Sequence, residues 1–407
     1  MIDKFVSIKM IGGVATVGLA VGAVATQDTR LTNNTIAMAS TSGSSTALQT
    51  TVTTNAAASS DTGTTLSSAV TSSSTATNPQ NASAQRLSSP DAQAVPLPIP
   101  GVNLSGGEFG TVPGRLGFNY TYPSTTDIDY IAAQGFKMVR IPFRWERLQP
   151  ILNGALSTAD ASALMKATDY ALSKGLVVVL DMHDFARRRP NPTSVTSAIV
   201  GSADVPAAAF ADAWVKIAGR YRGNNNVWLG LMNEPNGLPA ASWWQTAQQT
   251  AIALRNQGVN NKLMIPGIYW TAAYNWVESG NAAFASTFKD PGENYAFEVH
   301  QYLDSDSSGT KPTCAVGAAR RVDAVLAWAK VQKVRLFFGE MGAGPDDTCK
   351  IEYGNMLAKI DKSQVAIGWT AWGAGSWWNE GYMFRINPIK GAMTSHMQML
   401  QTAMSNR

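Results

Sequence analysis

Histidine and cysteine are scarce in this chain of 407 residues, which has three histidines and two cysteines. His183, His300 and His396 show neither HExxH-like nor clustered spacing, so the sequence gives little support to a dedicated zinc site. Cys314 and Cys349 are too few for a disulfide scaffold. An even number of cysteines in an exported chain nevertheless predicts one bridge, with two unpaired thiols as the alternative.

Signatures of two other protein classes are missing as well. No nucleophile elbow of the GxSxG type occurs, which argues against a serine hydrolase on an α/β sheet. The formal net charge is only +4 and the basic residues are scattered, so nucleic acid is not an expected partner. The one basic cluster, Arg187 to Arg189, is expected to be a solvated loop, with the border of a polar substrate groove as the alternative.

The N-terminal part of the chain lacks the residues that build a core. Between Ala39 and Ala94 there is no Trp, Tyr or Phe, and small and polar residues predominate, which predicts a disordered linker. Ahead of it, Lys4 and Lys9 precede an apolar run from Met10 to Ala25 with a small-x-small end, typical of a cleaved export signal. We therefore expect an export signal over residues 1–25, a linker over 26–95 and a folded domain over 96–407.

The exported protein is expected outside the cell or in the periplasm. The apolar run is short and Gly-rich for a membrane span, which takes about 20 residues. An uncleaved anchor on a Ser/Thr stalk is the alternative, and it would hold the protein at the cell surface. Unless the signal stays uncleaved, no stable membrane association is expected, and the protein is expected to be a monomer.

Eight short apolar runs follow the linker and alternate with helical segments such as Ala159 to Ser173. The predicted strands are Leu116 to Tyr120, Met138 to Phe143, Val177 to Asp181, Val227 to Met232, Leu263 to Ile268, Ala296 to His300, Val334 to Gly339 and Ala366 to Trp372. Such near-continuous apolar runs are typical of parallel strands that are buried on both faces. Eight βα repeats predict a (β/α)8 TIM barrel. The competing doubly wound sheet would need a Gly-rich phosphate loop where Gly117-Phe118-Asn119 stands.

Polar residues gather at the carboxyl ends of these predicted strands, where barrel enzymes place their chemistry. The residues at these positions are Arg140, His183, Asn233, Glu234, His300, Tyr302, Glu340 and Trp372. Purely structural roles would leave such residues scattered along the chain. The pattern therefore predicts one site at the mouth of the barrel.

Glu234 and Glu340 follow the fourth and seventh predicted strands, whose ends face each other across a barrel mouth. Either glutamate alone is explained as a cap of the next helix. An opposed pair instead suggests retaining glycoside cleavage, in which one carboxyl protonates the leaving oxygen and the other attacks the anomeric carbon. Arg140 is expected to pair with Glu340 and hold it ionised, whereas Glu234 lacks an obvious cationic partner and is expected to stay protonated.

Four motifs at the strand ends together resemble glycoside hydrolase family 5. They are Val139-Arg140-Ile141-Pro142, Met232-Asn233-Glu234-Pro235, His300-Gln301-Tyr302 and Phe338-Gly339-Glu340-Met341-Gly342. The run from His300 to Thr310 further resembles the endoglucanase branch of the family. This resemblance spans the folded domain and implies an endo-β-1,4-glucanase acting on cellulose-like β-glucan, with no metal or organic cofactor.

The resemblance also implies a role for each residue of these motifs. Glu234 would be the acid/base and Glu340 the nucleophile, while Asn233 would hydrogen-bond the 2-hydroxyl of the sugar at the cleavage point. Arg140 and Tyr302 would orient Glu340.

Three further residues would complete the subsite. His183 and His300 would hydrogen-bond substrate or the acid/base, although each is also explained as a satisfied core residue. Trp372 would form the apolar floor under the sugar, because pyranose faces carry C–H groups that pack on rings. By their position at strand ends, five more tryptophans are expected to line the cleft: Trp145, Trp270, Trp276, Trp377 and Trp378. A bridge between Cys314 and Cys349 would staple the two active-site loops after predicted strands six and seven.

Other substrates and one other class of protein stay open. Mixed-linkage glucan, glucomannan, mannan and xyloglucan can be cleaved by the same two-carboxylate machinery. After the third predicted strand the chain has His183-Asp184-Phe185 and three arginines, where family members often have His-Asn-aromatic, so the glycone subsites are not carried over. A non-catalytic carbohydrate-binding barrel is the rival of another class, but it should have lost a carboxylate or Arg140.

Overall fold

The computed structural model describes residues 96–407, and the predicted export signal and linker lie outside these residues. The described chain forms a closed barrel of eight parallel strands with helices between them. The predicted (β/α)8 TIM barrel is thereby confirmed. Within residues 96–407, no helix has the length and apolar character needed to cross a membrane.

The described residues contain ten strands. They are β1 Ile99–Leu104, β2 Met138–Phe143, β3 Val177–Met182, β4 Arg187–Arg188, β5 Ala198–Ile199, β6 Val227–Gly230, β7 Leu263–Pro266, β8 Tyr295–Tyr302, β9 Leu336–Gly342 and β10 Ala366–Ala374. The barrel order is β1-β10-β9-β8-β7-β6-β3-β2, and β2 pairs with β1 to close it. The short strands β4 and β5 form a separate antiparallel ribbon.

Nine α-helices connect and cover the strands in the described part of the chain. They are α1 Thr125–Ala133, α2 Trp145–Leu148, α3 Thr158–Ser173, α4 Ala207–Ala218, α5 Ala240–Asn256, α6 Asn281–Ala285, α7 Asp323–Gln332, α8 Asp347–Lys362 and α9 Ser395–Ser405. Side-chain caps fix several helix starts. Ser124 accepts from Asp127 N in a capping box before α1, and Asp346 accepts from Cys349 N before α8.

The barrel interior is built in layers, because every second residue of a strand points to the same face. An apolar layer near the amino ends of the strands includes Met138, Val179 and Ala296. Two residues further along each strand, the same inward face carries Arg140, Asp181 and Glu298. The alternation thus places a buried charged layer directly between the apolar layer and the barrel mouth.

The first strand lies elsewhere than the sequence predicted. It is β1, Ile99–Leu104, whereas Leu116 to Tyr120 lies in the following loop and has only an isolated bridge. The prediction was wrong because Pro100 and Gly101 are residues typical of turns. Gly101 is instead needed in the strand, since a Cβ there would come within 2.6 Å of the Met138 carbonyl oxygen of β2.

The predicted disulfide is confirmed. Cys314 and Cys349 are bonded, with their Cα atoms 5.0 Å apart. Cys314 lies in the loop that follows β8, and Cys349 lies in the first turn of α8, which follows β9. The bridge therefore joins the segments that leave two adjacent barrel strands at the mouth of the barrel.

A buried histidine of α9 is expected to make the fold sensitive to acid. His396 is 1% exposed, its Nδ1 lies 3.2 Å from the Ala343 carbonyl oxygen, and burial lowers the pKa of its ring to about 4. The neutral ring therefore stabilises the fold fully above pH 6.5, and this contribution is lost as the pH falls from about 6.5 towards 4. We expect wild type to lose about 3 kcal/mol more unfolding free energy than His396→Asn over this range.

Urea unfolding at pH 7 and at pH 4 measures this difference between the two proteins. His396→Asn keeps an N–H donor for the Ala343 carbonyl but removes the titrating ring. Equal pH dependence in the two proteins would contradict the prediction.

Candidate active site

Arg140 is the central side chain of the charged layer. It is fully buried on β2, and its Nη1 lies 2.9 Å from Asn103 Oδ1 and 3.1 Å from Glu340 Oε1. Its Nη2 lies 3.0 Å from both Asp181 Oδ1 and Glu298 Oε1. Burial disfavours the cation, but the surrounding carboxylates outweigh this and raise the pKa of Arg140. The Arg140 guanidinium thus contacts the carboxyl groups of Asp181, Glu298 and Glu340 below the barrel mouth.

Glu340 and Glu234 lie directly above this layer. Tyr302 donates to Glu340 Oε2 at 2.9 Å, so that both oxygens of Glu340 have a donor. His300 Nδ1 lies 3.0 Å from Glu234 Oε1 and 3.7 Å from Glu340 Oε2. One oxygen of Glu234 and one of Glu340 lie within 4.8 Å of each other. The two glutamates, placed 106 positions apart in the sequence, therefore face each other at close range.

The backbone at Glu234 is unusual. Its φ is +43°, in the left-handed region that non-glycine residues seldom adopt. Such a conformation costs about 1 to 3 kcal/mol and is held only where the surrounding structure fixes it. Strain of this kind clusters at functional sites.

The two histidines of the mouth differ in charge. Burial lowers the pKa of His183, whose Nδ1 lies 2.8 Å from Asp181 Oδ2 and whose Nε2 lies 3.2 Å from Asn233 Nδ2. Because Asn233 Oδ1 accepts from Arg140, its Nδ2 is left to donate to an unprotonated Nε2, so His183 is neutral. Burial also disfavours charge on His300, but Glu340, Glu234 and Glu298 prevail and raise its pKa to about 9. These carboxyl groups therefore favour the imidazolium form of His300 at neutral pH.

An aromatic wall lines one side of these groups. Trp372 of β10 is stacked against His183, with ring centroids 5.6 Å apart. Its Nε1 donates to the Tyr382 hydroxyl at 3.0 Å, and Tyr382 in turn stacks on Trp378 at 3.9 Å. Trp372 is 2% exposed, so the wall is closely packed.

Two groups of described side chains have the ligand types of a metal site. Cys314 and Cys349 of the first group are bonded to each other, which takes up both sulfurs. The second group is Glu234, His300 and Glu340, whose atoms are already joined by the contacts given above. That the chemistry needs no cofactor stays a prediction.

A retaining glycosidase requires two opposed carboxyl groups at close range. The aromatic wall beside them is suited to pack against a sugar ring. The profile described as cellulase (glycosyl hydrolase family 5) matches residues 91–381 of this chain. The chain belongs to glycosyl hydrolase family 5. The family prediction, made from the four motifs, is confirmed.

Relatives and solved structures agree with this membership. The chain is 30% identical to endo-β-1,4-glucanase B of Aspergillus niger over 308 residues, or 74% of this chain and 89% of the relative. It is 29% identical to the manganese dependent endoglucanase Eg5A of Phanerodontia chrysosporium, covering 76% of this chain and 80% of that one. A solved endo-β-1,4-glucanase mutant from Xanthomonas axonopodis pv. citri superposes with a TM-score of 0.72 at 37% identity, covering 76% of this chain and 100% of the other.

A further solved structure is that of XacCel5A in complex with cellopentaose. It has a TM-score of 0.71 and 37% identity, and it covers 75% of this chain and 99% of the other. The family match and the solved structures therefore agree with the prediction of a retaining hydrolase in the cellulase branch of family 5.

All eight site residues predicted from the sequence meet at the barrel mouth, but three buried polar residues and one half-buried tyrosine there were missed. They are Asn103, Asp181, Glu298 and Tyr382. Asp181 and Glu298 stand inside apolar runs, where a lone carboxylate is a detectable signal because it requires a buried partner. Asn103 was missed because its strand was misplaced. Tyr382 comes from the irregular loop after β10, for which the sequence gives no comparable signal.

Two expectations about large side chains were wrong. Trp145 and Trp276 are fully buried in the outer core and do not line the cleft. Arg188 of the basic cluster is 1% exposed, lies over the Trp145 ring at 4.4 Å and donates to the Gln149 carbonyl. A planar guanidinium can be buried in this way when aromatic and carbonyl partners replace water.

Proposed function

We propose that this protein hydrolyses internal β-1,4 bonds of cellulose-like glucans with retention, using Glu340 as nucleophile and Glu234 as acid/base. The observation that carries the proposal is the approach of the two carboxylates to within 4.8 Å at one oxygen of each. Retaining glycosidases hold their carboxyl groups about 5 Å apart, whereas inverting enzymes leave room for a water molecule between them.

The contacts of each carboxylate support its role. Glu340 receives a charge-assisted hydrogen bond from Arg140 and another from Tyr302, which favour the ionised form and fix its direction. Glu234 contacts the cleft ring of His300 through Oε1. In the first half-reaction, Glu234 protonates the leaving oxygen while Glu340 attacks C1. In the second, Glu234 takes a proton from the water that hydrolyses the glycosyl-enzyme.

Two further residues are suited to bind the sugar at the cleavage point. Asn233 Oδ1 is held by Arg140 and its Nδ2 faces His183, which fixes the amide beside Glu234. The second N–H of this amide is suited to donate to the 2-hydroxyl, a contact that strengthens in the transition state. Trp372, backed by His183, supplies an apolar face for the pyranose ring.

Endo-β-1,4-glucanase names among the relatives and the cellopentaose complex of the solved structure favour a β-glucan substrate. Mannan, glucomannan, xyloglucan and mixed-linkage glucan are the other candidates. We also propose that the chain is exported through residues 1–25, that residues 26–95 are a linker to a catalytic domain over 96–407, and that the protein acts as a monomer away from the membrane.

Reducing-end assays on carboxymethyl-cellulose, mixed-linkage glucan, xyloglucan and mannan test the substrate class. Cellulose-like glucan is expected to be cleaved fastest, with a rapid fall in viscosity because internal bonds are cut. Preferred mannan cleavage would keep the chemistry and overturn the substrate. No cleavage of any polymer by folded protein would favour the non-catalytic binding barrel.

A further inference from the structure

Glu298 occupies the position directly below His300 on β8. The two residues are separated by one, so both side chains point into the barrel. Glu298 is fully buried, and its Oε1 lies 3.2 Å from His300 Nε2 and 3.0 Å from Arg140 Nη2. Its Oε2 is buried and has no hydrogen-bond partner. A carboxylate in such a place is costly unless cationic partners offset its desolvation, and Arg140 and His300 are the partners here.

The neighbouring strand leaves room for this carboxylate. A Cβ at Gly339 would lie 2.0 Å from Glu298 Oε1. Any other residue at position 339, immediately before Glu340, would therefore displace the Glu298 carboxylate from His300.

His300 is thus held between two carboxylates. Its Nε2 faces Glu298 and its Nδ1 faces Glu234, so a ring protonated on both nitrogens donates to both. The titratable and charged groups around the ring, from every strand packed against it, are Glu234, Glu298, Glu340, Asp181, Arg140 and Tyr302.

An imidazolium beside Glu234 poses a problem for the proposed chemistry. A positive charge 3.0 Å away favours the ionised form of Glu234, whereas the first half-reaction needs the protonated form. Glu298 supplies a negative charge on the opposite side of the same ring. The field of the ring at Glu234 is then weakened, while its N–H still orients Oε1.

We propose that Glu298 is a positioning residue that neutralises and orients the His300 imidazolium and thereby keeps Glu234 protonated for the acid step. This inference rests on the proposed function. Glu298 does not touch substrate. It acts on Glu234 only through His300, in a chain Glu298–His300–Glu234.

The pH profile of kcat/KM in the Glu298→Gln variant tests this role. Gln keeps the size of the side chain and removes its charge. While the contacts with Glu234 and Glu340 keep the ring protonated, its uncompensated positive charge should favour loss of the Glu234 proton. We expect the basic limb of the profile to move down by about one pH unit, with the acidic limb little changed. Glu298→Asp, which restores the charge, should recover at least half of the shift.

Two matched variants separate this effect from general loss of charge. Asp181→Asn changes the other carboxyl group that faces Arg140 Nη2. Burial raises the pKa of Asp181 to about 8, and Asp181 bonds His183 and not His300, so the shift of the basic limb should be less than half as large. Glu293→Gln removes an exposed carboxylate before β8 and should leave the profile unchanged. An unmoved or upward-shifted basic limb in Glu298→Gln, or an equal shift in Asp181→Asn, would overturn the proposal.

A second measurement does not depend on the folding of any variant at position 298. With three histidines in the chain, nitrogen NMR of the wild type can be assigned by single substitutions. His300 should carry protons on both nitrogens at pH 7, and a neutral ring there would overturn the proposal. If wild type cleaves no glycan, the proposed function fails; if it cleaves with a normal profile that Glu298→Gln shares, only the present inference fails.

Discussion

Glu340→Gln is expected to lower kcat on soluble β-1,4-glucan by about 10⁴ to 10⁶-fold, because no carboxylate remains to attack the anomeric carbon. Gln retains the shape of the side chain; its oxygen can still accept from Arg140, and its NH2 group can donate to the Tyr302 hydroxyl oxygen, so the fold should be kept. The substitution removes one of the negative charges that stabilise the buried Arg140 cation, so the folding of the variant must be tested. Thermal unfolding and the binding of cellopentaose to the variant supply it.

An external nucleophile identifies the missing group. In Glu340→Gly, azide can enter the space of the lost carboxylate and attack an activated aryl β-cellobioside in one displacement, which gives an α-azide. A β-azide, or a loss of kcat below about tenfold in a folded protein, would contradict the assignment of Glu340 as nucleophile.

Glu234→Ala is expected to show an effect that depends on the leaving group. Cleavage of glucan should fall by about 10² to 10⁴-fold, the usual contribution of a general acid. Release of 2,4-dinitrophenolate from the aryl cellobioside should be affected far less in the first step, because this leaving group needs no proton. Steady-state rates and the burst of phenolate released in the first turnover separate the two steps.

Azide should also rescue Glu234→Ala, but with the opposite stereochemistry. Here azide intercepts the glycosyl-enzyme formed on Glu340, and two displacements give a β-azide. The exposed Glu293→Gln serves as the control for both substrates. Equal losses on glucan and on the dinitrophenyl substrate would assign Glu234 to a role other than proton transfer.

Strand periodicity and strand-end position were enough to predict the barrel and the eight residues at its mouth. The layer below them was harder to predict from the sequence. Asp181 and Glu298 stand among valines and phenylalanines, and the partner that makes their burial tolerable, Arg140, lies on a different strand. Which charges share one cation is set by barrel closure, a long-range property that local patterns do not carry.

The aromatic residues illustrate the same limit. Trp145 and Trp378 both follow barrel strands closely, yet one faces the outer helices and the other stacks on Tyr382 beside the mouth. Sequence position fixes the height of a side chain along the barrel. Whether a loop residue turns inward or outward depends on the loop's own path, which local periodicity does not determine.

The shared guanidinium of Arg140 has a consequence for engineering. Glu340 is oriented from below by Arg140 of β2, and Trp372 is carried on β10, whereas Trp378 and Tyr382 of the aromatic wall come from the loop after β10. We therefore expect that loops can be exchanged with those of related barrels to change which polysaccharide binds. Such an exchange should leave the positions of Glu234 and Glu340 unchanged. Grafts that replace residues of β1, β2, β3 or β8 would instead disturb Arg140 and its partners Asn103, Asp181 and Glu298.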